Sequence, residues 1–277
     1  MRSGLFITVL VAFLAITGYA QTPTVLQGGV LNGASFDHAQ PVAPGSLVSI
    51  FGSSLASSLG LAGSIPLSND LANVSVTFNG IPAPLLAVVP LAFGSTDQIN
   101  AQLPWELAGS TTASVVVTNA NGVPSPPVTV SLASAAPGVF ILQPSGYAVA
   151  YSHSDGQIAA PAGAIAGLST HPAKIGDPNT LEILATGLGP VNPPVQTGNN
   201  VLQDAQNGIL HNTATTPIVM IGGVQAQVFF SGMSPQFVGV YQLNVIVQPG
   251  TPTGNSIPLQ IQMNGITSDP GNIAVSQ

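Results

Sequence analysis

Cysteine is absent from the 277 residues. That excludes disulfides, thiolate metal sites and cysteine nucleophiles. Basic side chains are nearly absent too, Arg2 and Lys174 standing against nine acidic residues. So few cations cannot neutralise a phosphate backbone, which excludes nucleic acid as a partner, or hold the chain on an anionic membrane surface. Charged residues of both signs make up 4% of the chain, against roughly 25% in an ordinary soluble domain. Aromatics are scarce at 5%, but hydrophobic residues reach 45%, enough to exclude a charge-driven disordered chain. Glycine and proline are abundant, at 31 and 25 residues.

The N-terminus reads as a secretory signal, residues 1–20. Arg2 gives a basic start, and Leu5 to Ile16 form an uncharged apolar stretch too short to span a bilayer, which takes about 20 residues. Gly18 and Ala20 place small residues at the two positions a signal peptidase reads. No second long apolar run follows, so no membrane insertion is expected once the signal is removed. The expected location is periplasm, cell surface or extracellular space. Removal leaves Lys174 as the one basic side chain against all nine acids.

Beyond the signal, apolar residues alternate with polar ones in short runs. Examples are Val74-Ser75-Val76-Thr77-Phe78, Ala113 to Thr118, Val128 to Leu132, Pro258 to Met263 and Asn272 to Ser276. Period two with β-branched side chains is the strand pattern. Asn79-Gly80, Asn121-Gly122 and Asn264-Gly265 supply residues that accept the positive φ angles of tight hairpins. No stretch holds a helical apolar stripe for three turns, and Pro161 with two glycines makes the Ala-rich residues 157–169 a loop. The expected class is all-β.

The chain also repeats itself. Val48-Ser49-Ile50-Phe51 aligns with Leu181-Glu182-Ile183-Leu184, Val76 to Ala83 with Val219 to Ala226, Asp97-Gln98-Ile99-Asn100 with Tyr241-Gln242-Leu243-Asn244, and Asn121-Gly122 with Asn264-Gly265. An offset that stays within a narrow range across such blocks, here 133–144 residues, is the mark of a duplicated unit. The expected organisation is two tandem β-sandwich domains, 21–138 and 173–277, with residues 139–172 as a connector or extra hairpin.

Three groups of residues carry a family resemblance. They are Asn32 to Phe36 with Ala43 to Gly52, the run Asp97 to Leu107, and the later blocks Ala173 to Asp177, Ala185 to Val191 and Gly239 to Val245. Together they resemble a module, often C-terminal, of secreted proteins of soil acidobacteria, similar to tandem immunoglobulin-like domains of the IPT/TIG kind. The resemblance covers nearly all of residues 30–277. It implies a β-sandwich pair without assigned catalytic residues or an agreed ligand. Here the module stands alone behind its signal, so nothing carries over from the large neighbouring regions that many relatives have.

The inventory for chemistry is thin. No Gly-x-Ser-x-Gly elbow occurs. Ser152-His153-Ser154-Asp155-Gly156 contains all three triad residue types, but adjacent residues do not face one another as a triad requires, and the segment reads as a turn. His38, His153, His171 and His211 form no zinc-spaced pair. Asn69-Asp70 and Asp177-Pro178-Asn179 are the best calcium candidates, without the loop pattern of a dedicated site. Glu106 and Glu182, the only glutamates, fall in different repeats, where nothing favours a glycosidase pair. No catalytic, metal or cofactor site is therefore expected, and no cofactor.

Trp105, the only tryptophan, is the one candidate ligand-binding residue. It reads either as a sugar-stacking platform or, preferably, as a filler of a sheet end or domain interface. The leading functional expectation is a secreted, non-catalytic interaction or structural module with an extracellular protein or polysaccharide as partner. The competing one is a carbohydrate-binding module centred on Trp105 and on Tyr147, Tyr151 or Tyr241. The third is an accessory domain of a secreted enzyme system. N-terminal sequencing of exported protein is expected to begin at Gln21 or within a few residues of it; intact Met1 in that fraction would overturn the signal.

Overall fold

A computed structural model describes residues 21–277; the expected signal, 1–20, lies outside the described residues. The all-β expectation holds. Strands dominate, and the longest helix among the described residues is the single turn Leu202–Gln206. None is long and apolar enough to cross a membrane.

The strands form two pairs of sheets, each pair closing over its own buried apolar cluster. In the first pair, one sheet runs in the order Thr24–Asn32, Leu47–Ser53, Asp97–Gln102, Leu85–Val89, Gly60–Leu61. The facing sheet runs Val128–Ser131, Thr112–Thr118, Val74–Phe78, Asp70–Leu71. Ile50, Ile99, Val76, Phe78 and Val115 meet between them, all at or near zero exposure. In the second pair the matching strands are Leu181–Thr186, Tyr241–Ile246 and Gln227–Met233, opposed by Gly271–Ser276, Gly254–Met263 and Ile218–Ile221. Ile183, Tyr241, Leu243, Ile221 and Leu259 fill that cluster. Alternation of side chains along each strand puts every second residue inside. Val74–Phe78 and Thr112–Thr118 keep this pattern without a break.

The repeat read from the sequence is visible in the pairings. Ser49 lies opposite Asn100 as Glu182 lies opposite Asn244. Both copies also carry a bulge at the same place. Leu86 is skipped between Leu85↔Ala101 and Ala87↔Asn100, and Phe229 is skipped between Val228↔Val245 and Phe230↔Asn244. Asn79-Gly80 and Asn264-Gly265 adopt positive φ at both residues, as tight hairpins demand, and Gly222-Gly223 does so where the second copy repeats Asn79-Gly80. At Asn121-Gly122 only the glycine does.

Residues 139–174 pair with the second copy. Gly138–Val139 and Ala150–Ser152 bond to the 181–186 strand, and Ala173–Lys174 bonds to the C-terminal strand. Val139, Ala148, Ala150, Ala159 and Ala173 enter the second cluster.

The two sheet pairs meet across a junction made of neutral hydrogen bonds and close backbone approaches. Thr186, wholly buried, accepts from the Leu47 N–H at 2.9 Å and donates to the Gly239 carbonyl at 2.7 Å. Asn32, also buried, donates to the Ala136 carbonyl at 2.9 Å and accepts from the Ala34 N–H at 2.9 Å. Gln102 donates to the Gly45 carbonyl at 3.2 Å and accepts from the Gly198 N–H at 2.7 Å. At Gly187 (φ +78°) a Cβ would lie 2.1 Å from the Ala136 carbonyl oxygen, whereas at Gly250 (φ +93°) it would meet nothing. Both substitutions to alanine incur the left-handed penalty, about 1–2 kcal/mol, but only Gly187→Ala also forces backbone apart. Thermal melting is expected to show Gly187→Ala lowering Tm by about 5–10 °C more than Gly250→Ala. Equal shifts would mean that the junction adjusts freely.

Candidate functional site

Trp105 sits at the junction, on the short turn Trp105–Leu107 that follows the Asp97–Gln102 strand. Pro104 precedes it, and the chain bends there because proline cannot donate to a ladder. The indole is partly buried and packs against the second apolar cluster. Gly45 lies so close to the six-membered part of the ring that any Cβ would overlap it. The indole Nε1 is buried without a hydrogen-bond partner. Its backbone N–H donates to Thr197 Oγ1 at 3.0 Å, and Thr197 donates in turn to Glu106 at 2.7 Å. One edge of the ring borders a shallow groove of about 360 Å³ with Pro44, Leu132 and Pro190.

The tyrosines separate. Tyr241 is wholly buried and donates its hydroxyl to the Gly189 carbonyl, so it is a core residue and offers no ring to a ligand. Burial drives its phenol pKa up. Tyr147 is half-buried, and its hydroxyl donates to Asn255 O at 3.1 Å. Tyr151 lies on the outer face of the second copy's sheet, directly across from Glu182. Its phenol is raised well above the ordinary range, first by burial and then by the hydrogen bond and negative charge of Glu182.

Many of the titratable side chains are engaged with local partners. Glu182, buried to 7% exposure, accepts from His153, whose ring is otherwise largely in water. Asp155 caps the turn by accepting from the Gln157 N–H at 3.0 Å and faces His171 at 3.1 Å. Those contacts, the Gln157 N–H foremost, hold its carboxyl below the usual range. His153 thus faces Glu182, away from Ser152 and Asp155, so the three do not form a triad. His211 is buried, with Nδ1 on the Pro193 carbonyl at 2.7 Å and Nε2 on Asp204 at 2.8 Å. Asp97, also buried, accepts from the Leu55 and Leu91 N–H groups. His38 is exposed. Asp177 accepts from the backbone and side chain of Asn179. Among the described residues no three metal-ligating side chains converge. Asp269 is raised by burial and by the nearby charge of Asp37.

Two further openings exceed the Trp105 groove in volume. The larger, about 750 Å³, lies between the two sheet pairs, with Leu47, Ile65, Leu86, Phe140, Leu184 and Phe237 among its walls. It holds no ionisable side chain. The smaller, about 400 Å³, lies on the second copy's outer face. Its floor is Gln242 and Asn244, one wall is Phe229 and Phe230, and the other is Ile209 and Leu210 beside the Leu202–Gln206 turn. Sequence reasoning placed Gln242 and Asn244 in the repeat but gave them no role. The aromatic pair was missed because strand alternation alone puts one of two adjacent residues inside, and the bulge turns Phe229 out instead.

No family profile matches this chain, and no curated protein matches it. Solved structures that are similar over part of their length include two with described functions. One is a Bacteroides ovatus protein, SGBP-B of a mixed-linkage glucan utilization locus, in complex with a mixed-linkage heptasaccharide. It is 13% identical, and the match covers 85% of this chain and 42% of that one, with a TM-score of 0.29. The other is the endo-fucoidan hydrolase MfFcnA4 of glycoside hydrolase family 107, also 13% identical. That match covers 86% of this chain and 27% of that one, with a TM-score of 0.16. The chain thus spans less than half the length of either protein.

Replacing Glu182 with glutamine removes the negative charge that adds to burial in raising the Tyr151 phenol. In an alkaline titration followed by tyrosinate absorbance, one tyrosine of Glu182→Gln is expected to ionise at lower pH than in the parent. An unchanged curve would detach Tyr151 from Glu182.

Proposed function

We propose that this chain is an extracellular, non-catalytic binding module, acting through neutral grooves on the faces and junction of its two sheet pairs. The observation that carries this reading is the division of labour among polar groups. Acid–base work needs an ionisable side chain free to meet a substrate. Here Asp97, Asp204, Glu106 and Glu182 are each committed to a backbone, hydroxyl or imidazole partner, while both large grooves are lined mainly by apolar and amide side chains. Exposed Ile65, Phe237 and Phe229, at 44%, 50% and 57%, lie in those grooves, and clustered exposed apolar surface is what interaction sites present. The partner is an extracellular protein or polysaccharide recognised without electrostatic steering.

Residues 21–277 are expected to turn over none of a broad set of ester, peptide and glycoside substrates. Affinity for the partner is expected to change less than about threefold between roughly 0.05 and 0.5 M salt, because few charges are available to be screened. Turnover abolished by Glu182→Gln or His153→Ala would overturn the reading, as would complete loss of binding in high salt.

A further inference from the structure

We infer that the cleft over Gln242 and Asn244 is a subsite for a neutral sugar. This rests on the binding-module reading and names its ligand class and location.

The floor is pre-set. Gln242 donates to Asn244 Oδ1 at 2.8 Å, which orients both amides. Gln242 Oε1 and Asn244 Nδ2 carry no protein hydrogen bond among the described residues. An acceptor and a two-hydrogen donor are thus offered side by side, the complement of two adjacent hydroxyls on a pyranose ring. The wall beside them is aromatic. Phe230 lies directly across from Asn244, and the bulge turns Phe229 out to 57% exposure. A sugar has an apolar C–H face as well as its hydroxyls, so it uses both surfaces at once. The volume, about 400 Å³, falls within the range of roughly 300–1,000 Å³ typical of small-ligand pockets.

Charge narrows the ligand further. No lysine or arginine lines the cleft. His211, the one ionisable group there, already has both ring nitrogens on Pro193 and Asp204. An anionic sugar would find no counter-charge, and a purely hydrocarbon ligand would leave the two amides unpaired at a cost.

The first copy supplies an internal contrast. Gln98 donates to Asn100 Oδ1 at 2.7 Å, repeating the dyad, but Ser49 also donates to that oxygen at 2.9 Å. Ala87 stands opposite Asn100 where the second copy has Phe230. The same scaffold thus carries one dyad with an aromatic wall and one without.

The test is affinity gel electrophoresis of residues 21–277 against soluble neutral polysaccharides (glucan, mannan, xylan and galactan), with polygalacturonate as the anionic control. At least one neutral polymer is expected to retard the protein, and polygalacturonate is not. Phe229→Ala and Asn244→Ala are each expected to weaken retention about tenfold, with unchanged circular dichroism and melting, since Phe229 is exposed and makes no core contact. Asn100→Ala, in the equivalent dyad, is expected to retain full affinity. Retardation by no neutral polymer would overturn the inference. So would neutral-polymer binding untouched by Phe229→Ala and Asn244→Ala, or displacement from the cleft by a Phe/Leu-rich peptide and not by oligosaccharide. Breakdown of the bound polymer that Glu182→Gln abolishes would instead overturn the non-catalytic reading and leave the subsite standing.

Discussion

With Lys174 the only lysine or arginine among residues 21–277, this protein has almost no ion pairs with which to hold polar groups inside. Buried polar groups must still be satisfied, since an orphaned donor or acceptor costs about 1–3 kcal/mol. The work passes to amides, hydroxyls and the backbone. Thr186, Asn32 and Gln102 each make at least two neutral hydrogen bonds in the junction, where a more typical protein could place an arginine. Neutral hydrogen bonds are directional and short in reach, so they require the two chains to come close. That requirement is what puts glycine at 45, 187, 198 and 239. At Gly187 and Gly45 even a methyl group collides with backbone or indole.

The same constraint shapes the surface. Solubility without charge depends on Ser, Thr, Asn and Gln on the outer strand faces, and those side chains are also the ones that present paired donors and acceptors to a neutral ligand. Carboxylates that could have served chemistry are drawn instead into turns and buried caps, as Asp97 is by two backbone N–H groups. The absence of charge, the glycine-rich junction and the amide-floored cleft therefore share one cause.

Much of this was legible in the sequence. Period two and β-branching announced the strands, and Asn79-Gly80 and Asn264-Gly265 announced their turns, because both signals are local. The repeat was legible because duplicated strands keep their inward residues. The outward residues were harder. Residues 139–174 hold strands of two or three residues, too short for any period to show, so their pairing partners could not be read. Tyr241 looked available for a ligand, although Leu243 and Val245, its neighbours at period two, mark the inward face it shares. Phe229 was hidden by a bulge, which leaves no local trace in sequence. The offset that aligns Ala83 with Ala226 sets Phe229 against Leu86, but only the strand pairings show that both are skipped.

That shared bulge has a consequence for how such a surface can be altered. The extra residue of a bulge shifts the register by one, but its side chain stands opposite no partner residue in that ladder. Leucine at 86 and phenylalanine at 229 can each be exchanged without sliding a strand, so each copy holds a socket whose occupant is interchangeable. Through two such sockets on one repeated frame, the walls of both grooves can change while the frame stays untouched.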